Sequence, residues 1–175
     1  IGVLNGLAGD TDLQQLMARS DAGALDTRAA ELARLFPGAT RVRLLPPGVN
    51  RVDKTTQPPL GYADLQQLRI AENSDQVPPV EMALPGTDEA HFNVMRRIAT
   101  PQGQLLGVIV LVYPPDILQR VLSPLRQGGE AVELRPTGGC AFSRDGSLTR
   151  SDGRAEVQPP GTTSAFTPQP DGIGD

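Results

Sequence analysis

The most apolar stretch of the chain is Leu105–Tyr113, LLGVIVLVY, which ends at Pro114. A membrane-spanning helix needs about 20 apolar residues, so this run is too short to cross a bilayer. A short apolar run bounded by Gly and Pro is typical of a strand buried on both faces. We therefore predict a central strand, with one face formed by Val108, Val110 and Val112 and the other by Ile109 and Leu111.

Three other stretches alternate between apolar and polar residues, as strands do. HFNVMRRIA (residues 91–99) precedes the turn TPQGQ, so it should form a hairpin with the apolar run. One predicted face of this strand carries Phe92, Val94, Arg96 and Ile98, and the other carries His91, Asn93, Met95 and Arg97. Residues 39–48, ATRVRLLPPG, predict a strand with Arg41 and Arg43 on a wet face. PPVEMALPG predicts another, with Val80, Met82 and Leu84 on one face.

Helical spacing appears in three segments. TDLQQLM begins with Thr11 and Gln14 at capping-box spacing, and ALDTRAAELARLF offers Asp21 or Asp26 as its cap. GYADLQQLRIAEN carries a predicted buried stripe of Tyr62, Leu65, Leu68 and Ala71. PPDILQRVLSPL predicts one or two helical turns, and AVELRP and GCAFS are short strand candidates. The order of elements predicts an α+β fold with a largely antiparallel sheet.

Composition indicates one domain and restricts its partners. The 175 residues suffice for one core. The net charge of −4 and scattered arginines argue against nucleic acid as a partner. Cys140 is the only cysteine, which excludes an internal disulfide and a cysteine-based metal site. We expect a domain over residues 1–152 and a Pro/Gly-rich tail or linker over 153–175. The chain has no initiator Met or signal peptide, and both ends look like cuts through a longer protein.

Three stretches carry a family resemblance: FPGATRVRLLPPG after a helix, GYADLQQL on a helix, and the hairpin HFNVMRRIATPQGQLLGVIVLVY. Together, over residues 26–122, they resemble the PAS-like Cache sensor domains. More narrowly, they are similar to the N-terminal extension of long-form bacterial phosphomannomutase/phosphoglucomutase. The resemblance implies a central antiparallel sheet flanked by helices. It also implies an extracytoplasmic sensor or regulatory domain, at the periplasmic face of the bacterial inner membrane and anchored by flanking segments.

The chain departs from the mutases in its chemistry. A mutase needs a phosphate-carrying serine loop, and Ser164 in TTSAFTP lacks the neighbouring His and Asn of such a loop. Metal-binding and sugar-binding loops are not visible either. We therefore predict that this fragment is not an enzyme and has no cofactor and no metal site. A hydrolase or transferase with an unrecognised site is a rival interpretation. The N-terminal helix is a candidate homodimer contact.

The candidate ligand site depends on Arg96, whose predicted strand face is otherwise apolar. A buried guanidinium must be paired or bind an anion. The resemblance implies that the helix carrying Tyr62 and Leu65 lies over the strand face of Arg96. The pocket would lie between this helix, its loop and the sheet, within reach of Tyr62, Asn93, Arg96 and Tyr113. We therefore expect a small anionic ligand. Three alternatives stay open for Arg96: Arg97 points inward instead, the helix leaves Arg96 at the rim, or Arg96 pairs with Glu81 across strands. The alternative for the whole domain is an interaction module of the cell envelope without a ligand.

His91 is the only histidine in the chain and leaves two interpretations open. Its unperturbed pKa of about 6.5 is close to neutrality, which suits a side chain that contacts a ligand. As a solvated residue at a strand start it needs no function, and a lone His provides no metal site.

Overall fold

The computed structural model describes residues 2–122, 140–142 and 148–150. The predicted strand AVELRP and the tail from residue 153 lie outside the described residues. The helices are α1 (Gly2–Ala8), α2 (Thr11–Arg19), α3 (Ala22–Leu32), α4 (Tyr62–Asn73) and α5 (Asp116–Leu122), and Ala33–Leu35 form a 3-10 turn after α3. The strands are β1 (Arg41–Leu45), β2 (Met82–Ala83), β3 (His91–Ala99), β4 (Leu105–Tyr113), β5 (Cys140–Phe142) and β6 (Leu148–Arg150).

Four strands form an antiparallel sheet in the order β1-β4-β3-β2. The apolar run is strand β4, and it lies between β1 and β3, so its prediction as a central strand is confirmed. The hairpin of β3 and β4 is also confirmed, with a bulge at Ile98/Ala99. Helices flank this sheet, and the α+β prediction is therefore correct. The strands β5 and β6 pair with each other in a separate two-stranded sheet.

One side of the sheet, here called the α3 face, is covered by α1, α2 and α3. Its core is apolar: Leu4, Leu13, Met17, Leu25, Ala29, Leu32, Phe36, Val42, Leu44, Ile98, Leu106, Ile109 and Leu111. The caps are Asp10 for α2, one residue before the predicted Thr11, and Asp21 for α3. Their carboxylates accept hydrogen bonds from backbone N–H groups that a helix start leaves unpaired. The helix α1 was not predicted.

The other side, here called the α4 face, is covered by α4 and the loop before it. Its apolar core consists of Leu60, Leu65, Leu68, Ala71, Met95, Val108, Val110 and Val112. The helix α4 therefore lies over the face opposite to the one that carries Arg96, contrary to expectation. Tyr62, predicted in the buried stripe, is 84% exposed and points away from the sheet. The predicted wet face of β1 is also wrong, because Arg43 is only 8% exposed.

The strand predicted in PPVEMALPG is reduced to Met82–Ala83, which pair with the start of β3. Val80 and Leu84, which were predicted to share a strand face with Met82, lie outside this strand and are exposed. Leu84 has a φ of 50°, in the left-handed region that a continuing strand does not use.

Gly107, which interrupts the apolar run, is required by the packing. Its φ is 149°, and a Cβ there would overlap Met17 Cε of α2 and the carbonyl oxygen of Leu45 in β1. Only glycine combines this conformation with so close an approach of the backbone. The residue that weakens the strand pattern therefore allows α2 to contact the sheet.

Candidate functional site

A cluster of polar side chains lies buried between α4 and β3. Asp64 and Gln67 come from α4, and His91 and Asn93 from β3; each is at most 3% exposed. Burial of polar groups is unfavourable unless they are hydrogen-bonded, and burial of charges is unfavourable unless they are paired. We call these four residues the Asp64 cluster.

Asp64 joins the start of its own helix to the sheet. Its Oδ2 accepts a hydrogen bond from the backbone N–H of Gly61 at 2.5 Å, which caps α4. Its Oδ1 lies 3.1 Å from Nε2 of His91 and also accepts from Nδ2 of Asn93. One carboxylate therefore caps α4 and docks it on β3.

The hydrogen-bond partners of His91 show which protonation state of its ring they can satisfy. Nδ1 lies 2.7 Å from the carbonyl oxygen of Glu89, and Nε2 faces the Asp64 carboxylate. Both partners are acceptors, so the ring satisfies both only when each nitrogen carries a hydrogen, as in the imidazolium. The prediction of a solvated strand-start residue is wrong, since His91 is 1% exposed.

The pKa directions agree with a charged pair. Burial alone lowers the pKa of His91, but the hydrogen bonds to Asp64 and Glu89 and the charge of Asp64 outweigh it, so this pKa lies above 6.5. Burial alone raises the pKa of Asp64, but the hydrogen bonds from His91 and Gly61 keep it below the ordinary value. Each shift therefore favours the charged form of its own group, as the geometry of the pair does.

Gln67 connects the Asp64 cluster to the chain beyond α4. Its Nε2 donates to the carbonyl oxygen of Pro79 at 2.7 Å, and its Oε1 lies 3.4 Å from Nδ2 of Asn93. Within the described part of the chain, the buried Oδ1 of Asn93 has no hydrogen-bond partner.

Arg43 is a further buried ionisable residue on the α4 face. Its Nη2 donates to Oγ1 of Thr56 at 3.3 Å and to the carbonyl oxygen of Pro58, both neutral acceptors. Its Nη1 is buried and finds no partner among residues 2–122. Burial is the main cause of a lowered pKa for Arg43, and the charge of Arg41 adds to it, while Asp64 and Asp53 partly oppose it.

A groove of about 480 Å³ runs along the outer side of β1. One wall comes from α3 and the 3-10 turn, and the other from the loop before α4. Its lining residues are Asp26, Ala29, Ala30, Ala33, Thr40, Arg41, Val42, Arg43, Leu44, Leu45, Asp53, Thr56 and Leu60. The four charged residues among them, two aspartates and two arginines, balance to zero. Thr56 lines this groove and also accepts from the Arg43 guanidinium, so the buried cation lies beside the groove.

The structure does not gather the four predicted site residues. Asn93 belongs to the Asp64 cluster, whereas Tyr62 is exposed at the start of α4. Arg96 and Tyr113 are half-buried on the opposite side of the sheet, where Tyr113 packs against the apolar core. The Nη1 of Arg96 donates to the backbone carbonyl of Asp75, rather than pairing with Glu81 as one alternative proposed. Whether these residues bind a ligand remains a prediction.

The sequence did carry a signal for the residues that were missed. Positions 64, 67, 68 and 71 lie on one face of a helix, so Asp64 and Gln67 share the stripe of Leu68 and Ala71. His91 and Asn93 likewise alternate into the same strand face as Met95. A polar pair on the buried stripe of a helix and another on the buried face of a strand indicate that the two pairs contact each other.

Among the described residues, no group of three or more His, Cys, Asp or Glu side chains could hold a metal ion. None of the described helices has the length and apolarity to cross a membrane.

Comparison with known proteins finds no match by sequence and a distant structural likeness. No family model matches the chain, and no curated protein matches it. A solved structure, the extracellular domain of a predicted histidine kinase, aligns at 19% identity over 73% of this chain with a TM-score of 0.41. The aligned part covers 61% of that domain. A likeness this distant assigns no function.

Proposed function

We propose that this chain is an extracytoplasmic sensor or regulatory domain of a membrane-anchored bacterial protein, and that it binds a small ligand bearing a carboxylate or phosphate in the groove beside β1. The observation that carries the ligand proposal is Arg43, a buried guanidinium beside the groove that pairs with no carboxylate of the described residues. The sensor role, the periplasmic location and the link to phosphomannomutase/phosphoglucomutase rest on the sequence resemblance.

An anionic group is the partner that would best satisfy the hydrogen-bond donors and the charge of Arg43. Guanidinium grips carboxylate or phosphate through two parallel hydrogen bonds, which neutral oxygens do not replace. In the part of the chain that the structure describes, Nη1 has no acceptor, and Nη2 has only a hydroxyl and a carbonyl. The groove volume of about 480 Å³ lies within the range of small-molecule sites. A ligand anion seated near Thr56 would therefore supply the missing charge.

The groove is also linked to α4, which a sensor requires. Leu60 lines the groove and packs in the apolar core of the α4 face with Leu65 and Leu68. A ligand that contacts Leu60 can favour one position of α4 if it binds that position more tightly. The domain would then report occupancy through the helix, without catalysis of its own.

A thermal-shift screen of organic acids and sugar phosphates tests the proposal. A ligand present at 100 times its dissociation constant should stabilise the chain by about 2.7 kcal/mol. Arg43→Gln should abolish this effect, while the matched variant Arg96→Gln on the other face should retain it. Circular dichroism checks that both variants are folded, and Thr56→Val serves as a second groove variant. The proposal is wrong if no anion stabilises the chain or if Arg43→Gln leaves the shift intact.

A further inference from the structure

The outer edge of β1 is free of strand partners in the described structure. β1 is the first strand in the order β1-β4-β3-β2, so only its other edge pairs, with β4. Within the described residues, the backbone of Arg41–Leu45 makes no hydrogen bond to a segment on the outer side. In an antiparallel pair, alternate residues direct their N–H and C=O groups away from the partner strand. The free edge therefore offers backbone donors and acceptors for a further strand.

The groove follows this edge along its length. Every residue of β1 lines it, and three alanines of the opposite wall, Ala29, Ala30 and Ala33, present only methyl groups. Small side chains leave room for another backbone to come close to the strand. Five strand residues span about 17 Å, so an extended peptide of four residues, about 13 Å long, matches the edge.

The charges of the lining favour a zwitterion over a polyanion. Asp26 and Asp53 balance Arg41 and Arg43, so the groove carries no net charge from these side chains. A sugar phosphate brings about two negative charges and would leave the aspartates repelled. A short peptide brings one ammonium and one carboxylate, which match the two kinds of side chain.

We infer that the ligand of this groove is a short extended peptide, which adds as a strand to the free edge of β1 and directs its terminal carboxylate to Arg43. Binding by strand addition takes its affinity from main-chain hydrogen bonds and its selectivity from the side-chain pockets of the walls. This inference rests on the proposed function, because it specifies the ligand of the same groove.

Calorimetric titration of the whole chain with four matched probes tests the inference. The probes are the tetrapeptide Ala-Val-Ala-Val with a free carboxylate, its C-terminal amide, a form N-methylated at two alternate peptide bonds, and acetylvaline as a simple carboxylate. We expect the free tetrapeptide to bind most tightly. Two lost main-chain hydrogen bonds should weaken the N-methylated form by roughly tenfold. The amide should lose as much affinity as the free peptide loses on Arg43→Gln.

Each other outcome overturns a different statement. If acetylvaline binds as tightly as the tetrapeptide, or N-methylation changes nothing, the peptide inference is wrong and the proposed carboxylate site stands. If no probe binds the wild-type chain and the screen of anions also fails, both are wrong. If sedimentation shows a dimer and peptide binding disappears as the dimer forms, the free edge belongs to a second copy, and the inference is overturned.

Discussion

The two faces of the sheet are covered by helices in different ways. The α3 face meets three helices through aliphatic side chains and Phe36, whereas the α4 face places Arg43 and the Asp64 cluster among its valines and leucines. Apolar burial is non-directional, so it stabilises the α3 face without fixing one helix position through specific bonds. The hydrogen bonds of Asp64 to both Gly61 and β3 define where α4 begins and what it touches.

The difference shows that the α4 face is not optimised for stability. A buried ion pair is seldom more stabilising than a well-packed apolar contact of similar volume, although the loss of one partner is costly. The apolar alternative is present on the other side of the same sheet. We therefore interpret the charges of the α4 face as groups that fix the position of α4 and allow it to respond to a ligand. Four measurements compare the two faces.

Placing a carboxylate on each face of β4 should give the largest effects. Leu111 lies between Val42 and Val94, so Leu111→Asp leaves a buried charge without a partner and should cost more than about 4 kcal/mol. Val110 lies opposite Arg43, whose unpaired Nη1 can donate to the new carboxylate, so Val110→Asp should cost less, but still more than about 3 kcal/mol.

Urea denaturation measures both free energies of unfolding, with Ile70→Asp on the exposed side of α4 as the control. The control should change stability by less than about 0.5 kcal/mol. Equal costs at positions 110 and 111 would contradict the assigned difference between the faces.

Removing the Asp64 carboxylate should come next. Asp64→Ala removes the cap of α4 and leaves the buried His91 without the carboxylate that favours its charged form, for an expected loss of about 3 kcal/mol. Asp88→Ala, at an exposed carboxylate, is the matched control. The double variant Asp64→Asn/His91→Gln has no unpaired charge, and its free energy of unfolding should lie well above that of Asp64→Ala. A double variant as unstable as Asp64→Ala would show that packing, not charge, dominates there.

A smaller loss is expected from Gly107→Ala, which probes the close contact on the α3 face. The added methyl meets Met17 and the Leu45 carbonyl at a φ of 149°, so we expect a loss of about 2 kcal/mol. Gly103 also has a positive φ, of 85°, but has open space around it, so Gly103→Ala is the control for a positive φ without a steric overlap. If the two variants are equally stable, α2 does not need this close approach.

The pH dependence should be the smallest effect and should belong to the α4 face. The pKa of His91 is raised in the folded chain, so its stabilising contribution is complete below about pH 6.5 and is lost as the pH rises through the higher folded value. The pKa of Asp64 is lowered, so its contribution is present above about pH 3.8 and is lost as the pH falls through its folded value.

Stability should therefore be greatest between about pH 4 and 6.5 and fall above it, by at most about 1.4 kcal/mol per pH unit for one proton. Urea denaturation from pH 4 to 9 measures this dependence. His91 is the only histidine, so Asp64→Asn/His91→Gln should flatten the curve above pH 6. An unchanged curve in that variant would assign the dependence to other groups.

The elements were predictable where their signal is local. β3 and β4 follow from a two-residue alternation and a continuous apolar run joined by five residues, 100–104. The helix α4 follows from the spacing of Leu65, Leu68 and Ala71. Its buried face does not include Tyr62, because the buried positions 64, 65, 67, 68 and 71 centre on the side of the helix opposite to position 62.

The site was not predictable because it depends on which face of the sheet α4 covers. Asp64 and His91 are 27 positions apart, and no local pattern relates a helix stripe to one of two strand faces. With α4 assigned to the wrong face, Arg96 appeared as the buried cation. The loop before α4 covers Arg43 instead, and alternation alone could not show that covering.

The position of β4 between an early and a late strand also has a consequence for the order of folding. The turn between β3 and β4 joins residues 99 and 105, six positions apart, whereas β1 meets β4 through residues 41 and 112, which are 71 apart (112 − 41). The entropy of loop closure makes the longer connection costlier by about 2 kcal/mol. The hairpin of β3 and β4 should therefore nucleate the chain, and β1, with its groove, should join late in the transition.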